Sequence, residues 1–302
     1  MLLLPYLDVA EQIRAEFPGA DIGVWDGDGP PPPDLAAVTF YAMPYAKGEA
    51  PRRAIAAMPA LRVVQTLSAG VEKLLPLLPP GVVLCGGRGL HDDSAAEHAL
   101  ALILAAQRDI PRWSADQRDH RWAPRRTRSL AGSRVVPAGY GSIGAALEVR
   151  LRACRAHTVR VARRARPAEQ VHAAADLPAL LPAADILVAV LPDTPATRHL
   201  IGAGHLAALP DDALVVNIGR GTTLDTAALT REVSTGRLRA ALDVTDPEPL
   251  PPGHRLWSAP GVLITPHVAG GSAAFVPAAK DLLAEQARRH LTGRPPLNVI
   301  PR

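Results

Sequence analysis

The chain has 302 residues, 48% hydrophobic and 21% charged, with a formal net charge of +4. That length exceeds a single hydrophobic core and that balance is ordinary for a water-soluble protein of two domains, while no apolar run reaches the roughly 18 residues a membrane-spanning helix needs. Two cysteines, Cys85 and Cys154, each in an apolar segment, and no zinc-type spacing of Cys, His, Asp and Glu exclude a disulfide framework and a structural metal. A reducing, cytoplasmic setting is expected.

In chain order, Leu2–Leu7, Asp21–Trp25, Val38–Ala42, Leu61–Leu67 and Val82–Cys85 read as short buried strands, bounded by Gly, Pro or charge. Met1–Asp8 has no basic flank and no small-residue cleavage site, so it reads as a first strand and not a signal peptide. Residues 26–33 (DGDGPPPP) read as a surface loop. Ser94-Ala-Ala-Glu97 has a capping-box pattern ahead of His98–Arg108, a helix apolar nearly all round and therefore expected to be buried between domains or subunits. Arg118, Arg121, Arg125, Arg126 and Arg128 cluster after it. No aromatic stacking pattern or helix-turn-helix accompanies them, so they read as a solvated loop or an interface, with no nucleic-acid partner expected.

From Gly132 to about Gly271, six strands are expected at Arg134–Ala138, Thr158–Ala162, Asp185–Leu191, Ala213–Ile218, Leu238–Val244 and Val262–Thr265. Helix-like stretches such as Ile143–Ala153 and Asp225–Thr235 separate most of them. This rhythm predicts a doubly wound α/β fold with a parallel sheet. A closing helix near Pro277–Leu291 leads to a tail, 295–302, expected to pack back on the N-terminal domain.

Gly139, Tyr140, Gly141, Ser142, Ile143 and Gly144 (GYGSIG) follow an apolar strand and open an apolar-periodic helix. A Gly-rich turn there lets backbone approach a pyrophosphate at a helix N-terminus, so the segment is expected to bind a dinucleotide. Pro137 lies in the preceding strand and has no N–H to give a ladder. Either the ladder is locally broken there, or the strand is displaced by a residue. About 20 residues on, where an acid ordinarily holds the adenosine ribose, Ala162 is followed by Arg163 and Arg164. Two guanidiniums and no carboxylate favour a 2′-phosphate, hence NADP over NAD.

Three later strands each end in a polar residue suited to one chemistry. Arg220 follows Val215-Val-Asn-Ile-Gly, Glu248 follows Leu242-Asp-Val-Thr-Asp-Pro, and His267 follows Ile264-Thr-Pro. A planar arginine can bridge the carboxylate and carbonyl of a 2-keto acid. A histidine can protonate the oxygen left when hydride reaches C2, and a carboxylate on its other ring nitrogen fixes the tautomer.

Together with residues 65–71 (QTLSAGV), 96–102 (AEHALAL) and 191–201 (LPDTPATRHLI), the segments GYGSIG, VNIGRG, ALDV with DPEP, and TPHVAGG resemble the D-isomer-specific 2-hydroxyacid dehydrogenase family. The resemblance spans essentially the whole chain, most weakly over the first 60 residues. It implies two Rossmann-like or flavodoxin-like α/β domains with parallel sheets and a cleft between them. Residues 1–95 plus 277–302 would form the substrate-binding domain and 96–276 the dinucleotide-binding domain. It further implies that Arg220 binds substrate, Glu248 supports the histidine, His267 is the acid/base, and N–H groups of Ala69, Gly70 and Val71 hold the substrate carboxylate. Thr194 and Ile218 would line the cofactor, Asp243 would lie beside the nicotinamide carboxamide, and the protein would be a homodimer. The interval from Glu248 to His267 is short for the family. The expected partner is a small 2-keto or 2-hydroxy acid of the glyoxylate or hydroxypyruvate kind. A dehydrogenase of an unusual substrate such as phosphite, and a dinucleotide-sensing regulator resembling the C-terminal binding protein corepressors, remain open alternatives.

Overall fold

A computed structural model describes residues 1–72 and 74–301. The chain divides into two compact units, Met1–His91 with the stretch from Ala273 onward, and Asp92–Ser272.

The first unit is built on five parallel strands: β1 (Leu2–Leu4), β2 (Ile22–Val24), β3 (Phe40–Met43), β4 (Val63–Thr66) and β5 (Val83–Cys85). Their order is β2-β1-β3-β4-β5, the flavodoxin-like winding. Alternation along each strand sends Leu2, Leu4, Phe40, Ala42 and Val63 to a core shared with helices Leu7–Glu16 and Phe275–Leu291. Leu3, Tyr41, Val64 and Leu84 face the other way, against Ile55, Met58 and Leu74. Covered faces on both sides explain why these strands read as continuous apolar runs. The tail pairs with the sheet edge as Gly86 N–H donates to Asn298 O (2.9 Å) and Ile300 N–H to Leu84 O (2.8 Å). Burial pushes the Cys85 thiol up to about 11, which leaves it inert as a nucleophile at neutral pH.

The second unit carries β6 (Arg134–Ala138), β7 (His157–Thr158), β8 (Val161–Ala162), β9 (His172–Ala173), β10 (Ile186–Ala189), β11 (Leu214–Asn217), β12 (Arg239–Leu242) and β13 (Val262–Ile264). All pairings are parallel, in the order β13-β12-β11-β10-β6-β8-β9, with β7 also on β6. Counted from β6, this is the winding of a dinucleotide-binding sheet, and its direction reverses between β6 and β10. Helices Asp92–Gln107 and Ser142–Ala153 cover the face bearing Val135, Val188, Leu214 and Val216. Leu206 and Leu229, from two further helices, help cover Val136, Leu187 and Val215 opposite.

Three expectations need correction. The strand expected at Thr158–Ala162 is split into β7 and β8, and Pro137 is the cause. Alternate residues of a parallel strand address alternate neighbours. Arg134 and Ala138 carbonyls accept from Asp185 and Val190 on the β10 side, whereas Val135 O accepts from Val159 N–H (2.9 Å). Pro137 therefore faces the β7–β8 side with no N–H, and strand geometry lapses at Val159–Arg160. The β10 ladder passes Pro137 without interruption (Val188↔Pro137), so the strand is where it was expected and only one side is broken. Second, β9 is an addition, too short and too polar at His172 to read as a strand. Third, the buried helix starts at Asp92, so Ser94 lies inside it and no capping box forms with Glu97. Asp92 and Asp93 supply the acidic first turn that suits the helix dipole. Ser94 Oγ instead bonds Ser272 Oγ, and Glu97 meets Arg150 at 3.3 Å.

Asp116, 5% exposed, binds Arg121 (2.9 Å) and Arg125 (2.7 Å), and Arg128 pairs with Asp212, so much of the basic cluster is neutralised by the chain's own acids. Among the described residues no helix is long and apolar enough to cross a membrane, and no group of three or more His, Cys, Asp or Glu could hold a metal.

Candidate active site

The Gly-rich turn leaves β6 at Gly139, whose φ of +109° is open to glycine and strained for other residues. A Cβ there would lie 2.3 Å from Val190 O, so the turn can pass β10 only with glycine at this point. Gly139 and Tyr140 N–H groups both donate to Val161 O, at 2.9 and 2.7 Å. Gly141 is the N-cap of helix Ser142–Ala153, with no side chain capping it and nothing within 4 Å of where its Cβ would stand. An uncapped helix start with open space before it fits a dinucleotide pyrophosphate, which takes the first-turn N–H groups. Ser142 Oγ donates to Asp92 (3.0 Å), and Ile143 packs on the core below.

Tyr140 turns its ring outward to a buried carboxylate. Its hydroxyl donates to Glu148, which also binds Arg160 at 2.7–3.1 Å and Arg152 at 3.3 Å. Burial pushes the Glu148 carboxyl up, but the hydrogen bonds from Arg160 and Tyr140 outweigh it and hold the group below the usual carboxylate range. Arg166 donates to Tyr140 O at 3.1 Å. Arg163 and Arg164 follow β8 directly, exposed and without an ion-pair partner among the described residues. Thr194 is exposed in the loop after β10, its N–H donating to Thr197 Oγ1 (2.9 Å). Ile218 is 7% exposed and continues the β11 ladder by donating to Ala189 O (3.1 Å).

Three neighbouring strand ends carry the other side chains. Register sets Asn217 beside Leu242 and Leu242 beside Ile264, so the loops carrying Arg220, Asp243–Glu248 and His267 leave one edge of the sheet side by side. Asn217 is fully buried and folds the first loop: its Oδ1 accepts from Gly219 N–H (3.0 Å), and its amide donates to Arg220 O (3.1 Å). A Cβ on Gly221 would meet Thr245 O at 1.9 Å, which presses the arginine loop onto the loop of Glu248. Arg220 Nη1 donates to Gly219 O (2.8 Å), leaving Nε and Nη2 without a partner among the described residues. Val244 (2% exposed) and Leu250 (6%) anchor the Glu248 loop on both sides.

His267 Nδ1 lies 2.5 Å from Glu248 Oε1. Both side chains are nearly half exposed (46% and 43%), and His267 Nε2 has no partner among the described residues. The residue sits at φ +53°, a left-handed conformation costing a non-glycine residue about 1 kcal/mol or more. Asp243 supports that geometry. Its carbonyl accepts from His267 N–H (2.8 Å), and its carboxylate, fully buried, accepts from Thr265 Oγ1 (2.6 Å), Val268 N–H (2.9 Å) and Ala269 N–H (2.9 Å). His98 Nε2 lies 3.3 Å from the same carboxylate. Sequence reasoning did not assign Asn217, Thr265 or His98, although each lies inside a segment it had marked.

In the first unit, Ala69, Gly70 and Val71 follow β4, and none of their N–H groups has an acceptor among the described residues. The preceding turn is pinned, since Gly87 N–H donates to Ser68 O (2.9 Å) and His91 Nε2 lies 2.9 Å from Leu67 O.

The family model for the NAD-binding domain of D-isomer specific 2-hydroxyacid dehydrogenases matches residues 100–269. D-3-phosphoglycerate dehydrogenase of Mycobacterium bovis is 33% identical over 247 residues, covering 79% of this chain and 47% of that protein. The chain therefore spans about half the length of the curated relatives it first matches. A crystal structure of a D-isomer specific 2-hydroxyacid dehydrogenase from Xanthobacter autotrophicus Py2, in complex with NADPH and MES, superimposes with a TM-score of 0.80 and 32% identity, covering 100% of this chain and 98% of the other. An NADPH-dependent glyoxylate/hydroxypyruvate reductase from Sinorhizobium meliloti, in complex with NADP and sulfate, gives a TM-score of 0.81 and 27% identity, covering 99% and 97%. The chain belongs to the D-isomer specific 2-hydroxyacid dehydrogenase family.

Proposed function

We propose that the protein reduces a small 2-keto acid to the D-2-hydroxy acid, using NADPH in preference to NADH. The observation that carries this reading is the 2.5 Å pair of His267 and Glu248 on a strand end adjacent to the Arg220 loop, in the same sheet as the glycine turn. The unit Asp92–Ser272 takes the dinucleotide and the other unit takes the substrate carboxylate. A bound reduced dinucleotide supplies the hydride. His267, its tautomer set by Glu248 at Nδ1, presents Nε2 to protonate the oxygen on C2. Arg220 offers the free edge of its guanidinium to the carboxylate and carbonyl of the same substrate, and binds most strongly as charge develops on the oxygen. The free N–H groups of Ala69, Gly70 and Val71 are the proposed carboxylate hold of the first unit.

Arg163 and Arg164, unpaired just beyond β8, support a 2′-phosphate site, and the two similar solved structures hold NADPH and NADP. Glyoxylate and hydroxypyruvate are the first substrates to try, since one of those structures is a reductase of both. Homodimer assembly is proposed as well, supported by Trp122, 96% exposed, and Ile110, 52% exposed, on the segment after helix Asp92–Gln107. The deciding experiment follows nicotinamide absorbance during mixing with a panel of 2-keto acids and each cofactor. Turnover of glyoxylate or hydroxypyruvate with NADPH is expected. Tight dinucleotide binding with no turnover on the whole panel overturns the reading in favour of a dinucleotide-sensing regulator.

A further inference from the structure

We propose that His98, on helix Asp92–Gln107, is a positioning residue that ties the His267 loop to that helix through Thr265 and Asp243. The proposal deepens the reductase reading and rests on it for its kinetic half.

His98 Nε2 lies 2.9 Å from Thr265 Oγ1 and 3.3 Å from Asp243 Oδ1. Proton counting fixes the direction of these contacts. Asp243 accepts two backbone N–H groups and the Thr265 hydroxyl, a donor set that suits a carboxylate acting only as acceptor. Thr265 has one hydroxyl proton and spends it on Asp243 at 2.6 Å, so toward His98 its oxygen can only accept. His98 Nε2 therefore carries hydrogen and donates to Thr265, with a longer branch to Asp243.

The origin of the donors matters. Thr265, Val268 and Ala269 all belong to the loop they stabilise, and their bonds tie it to Asp243 at the end of β12. His98 comes from a separate 16-residue helix packed on β11 and β12, the strands that also position Arg220 and Glu248. It adds to the Asp243 contacts a side-chain tie from that helix to the loop beside His267. A histidine held at φ +53° relaxes when its surroundings loosen, and catalysis is sensitive to displacements of about 1 Å.

The test uses the full chain with His98→Gln, whose amide keeps an N–H near the same place, and His98→Phe, which keeps the bulk and loses the donor. Amide hydrogen exchange at Val268 and Ala269 is read against Val215 and Val216 of β11. In His98→Phe the two loop amides are expected to exchange at least tenfold faster with the β11 amides unchanged, and in His98→Gln to stay within threefold of the parent. For the 2-keto acid that the parent reduces, His98→Phe is expected to lose at least tenfold in kcat with KM within twofold, and His98→Gln to recover it. Thr265→Val, which cuts the relay from the loop side, is expected to reproduce the His98→Phe pattern and serves if His98→Phe does not fold. Unchanged exchange in His98→Phe, or equal changes in Phe and Gln variants, overturns the proposal. Faster exchange with kcat intact overturns its kinetic half. A parent that reduces no 2-keto acid defeats the reductase reading, and the exchange measurement then decides the positioning role by itself.

Discussion

On one side of β6 the larger sheet continues through β10 and β11, eight residues all at 0% exposure, and then β12. On the other side it continues through β7, β8 and β9, each two residues long and interrupted where Pro137 has no N–H to give. The first half holds its loops with buried side-chain hydrogen bonds from single residues, Asn217 under Arg220 and Asp243 under His267. The second half relies on ion pairs nearer the surface, with Arg160 joining the broken strand to Glu148 on the helix of the glycine turn. Proton transfer needs fixed distances, and the buried half provides them. On the proposed reading, a long charged cofactor would tolerate a looser edge, with Arg163 and Arg164 sharing its phosphate.

Four variants test that contrast. The largest effect is expected on the rigid half: His267→Ala should lower kcat about 100-fold with dinucleotide affinity retained, and near-parent turnover would remove the proposed acid. Next, Glu148→Ala strips Arg160 and Tyr140 of their shared acceptor and should cost about 2 kcal/mol in denaturant unfolding. It should also weaken cofactor binding, and an unchanged midpoint would mean the ion pairs do not hold this edge. Replacing Arg163 and Arg164 together by Ala should raise the Kd for NADPH about tenfold, roughly the worth of one charge-assisted phosphate contact, and leave NADH within about twofold. Equal losses for both cofactors would contradict 2′-phosphate recognition. The smallest effect belongs to Pro137→Ala. It supplies the missing N–H toward the β7–β8 break, and the gained hydrogen bond roughly offsets the freer unfolded chain, so stability should shift by less than about 1 kcal/mol. The new amide should be protected from exchange; if it exchanges freely, the proline is not what splits the strand.

Much of this was legible in advance, for reasons that differ by region. Buried parallel strands are short apolar runs, so β1 to β6 and β10 to β13 could be located from them, although the first run overshot: β1 ends at Leu4, and Leu7 opens a helix. The glycine turn was legible because Gly139 and Gly144 meet backbone at distances no side chain allows, 2.3 and 2.8 Å, and such constraints leave a fixed spacing in the chain. β9 was not legible, since two residues lying beside β8 carry no periodicity. The start of the buried helix was misread because Ser94–Glu97 satisfies a capping pattern that the neighbouring Asp92–Asp93 pre-empts. The bonds from the Asp243 carboxylate to the loop 22 to 26 residues further along the chain were not legible, since no local pattern marks them.

The order and identity of the residues determined the two parallel sheets, the dinucleotide turn and the types of side chain available for catalysis, because periodicity and glycine spacing are local properties of a chain. Tertiary structure decided which of those side chains come within bonding distance. The tie from His98 to Thr265 joins residues 167 apart in the chain, and the pairing of His267 with Glu248 and the one-sided break at Pro137 depend on strand register. Such contacts arise only when the sheet closes, since distance along the chain carries no information about which strand ends lie side by side.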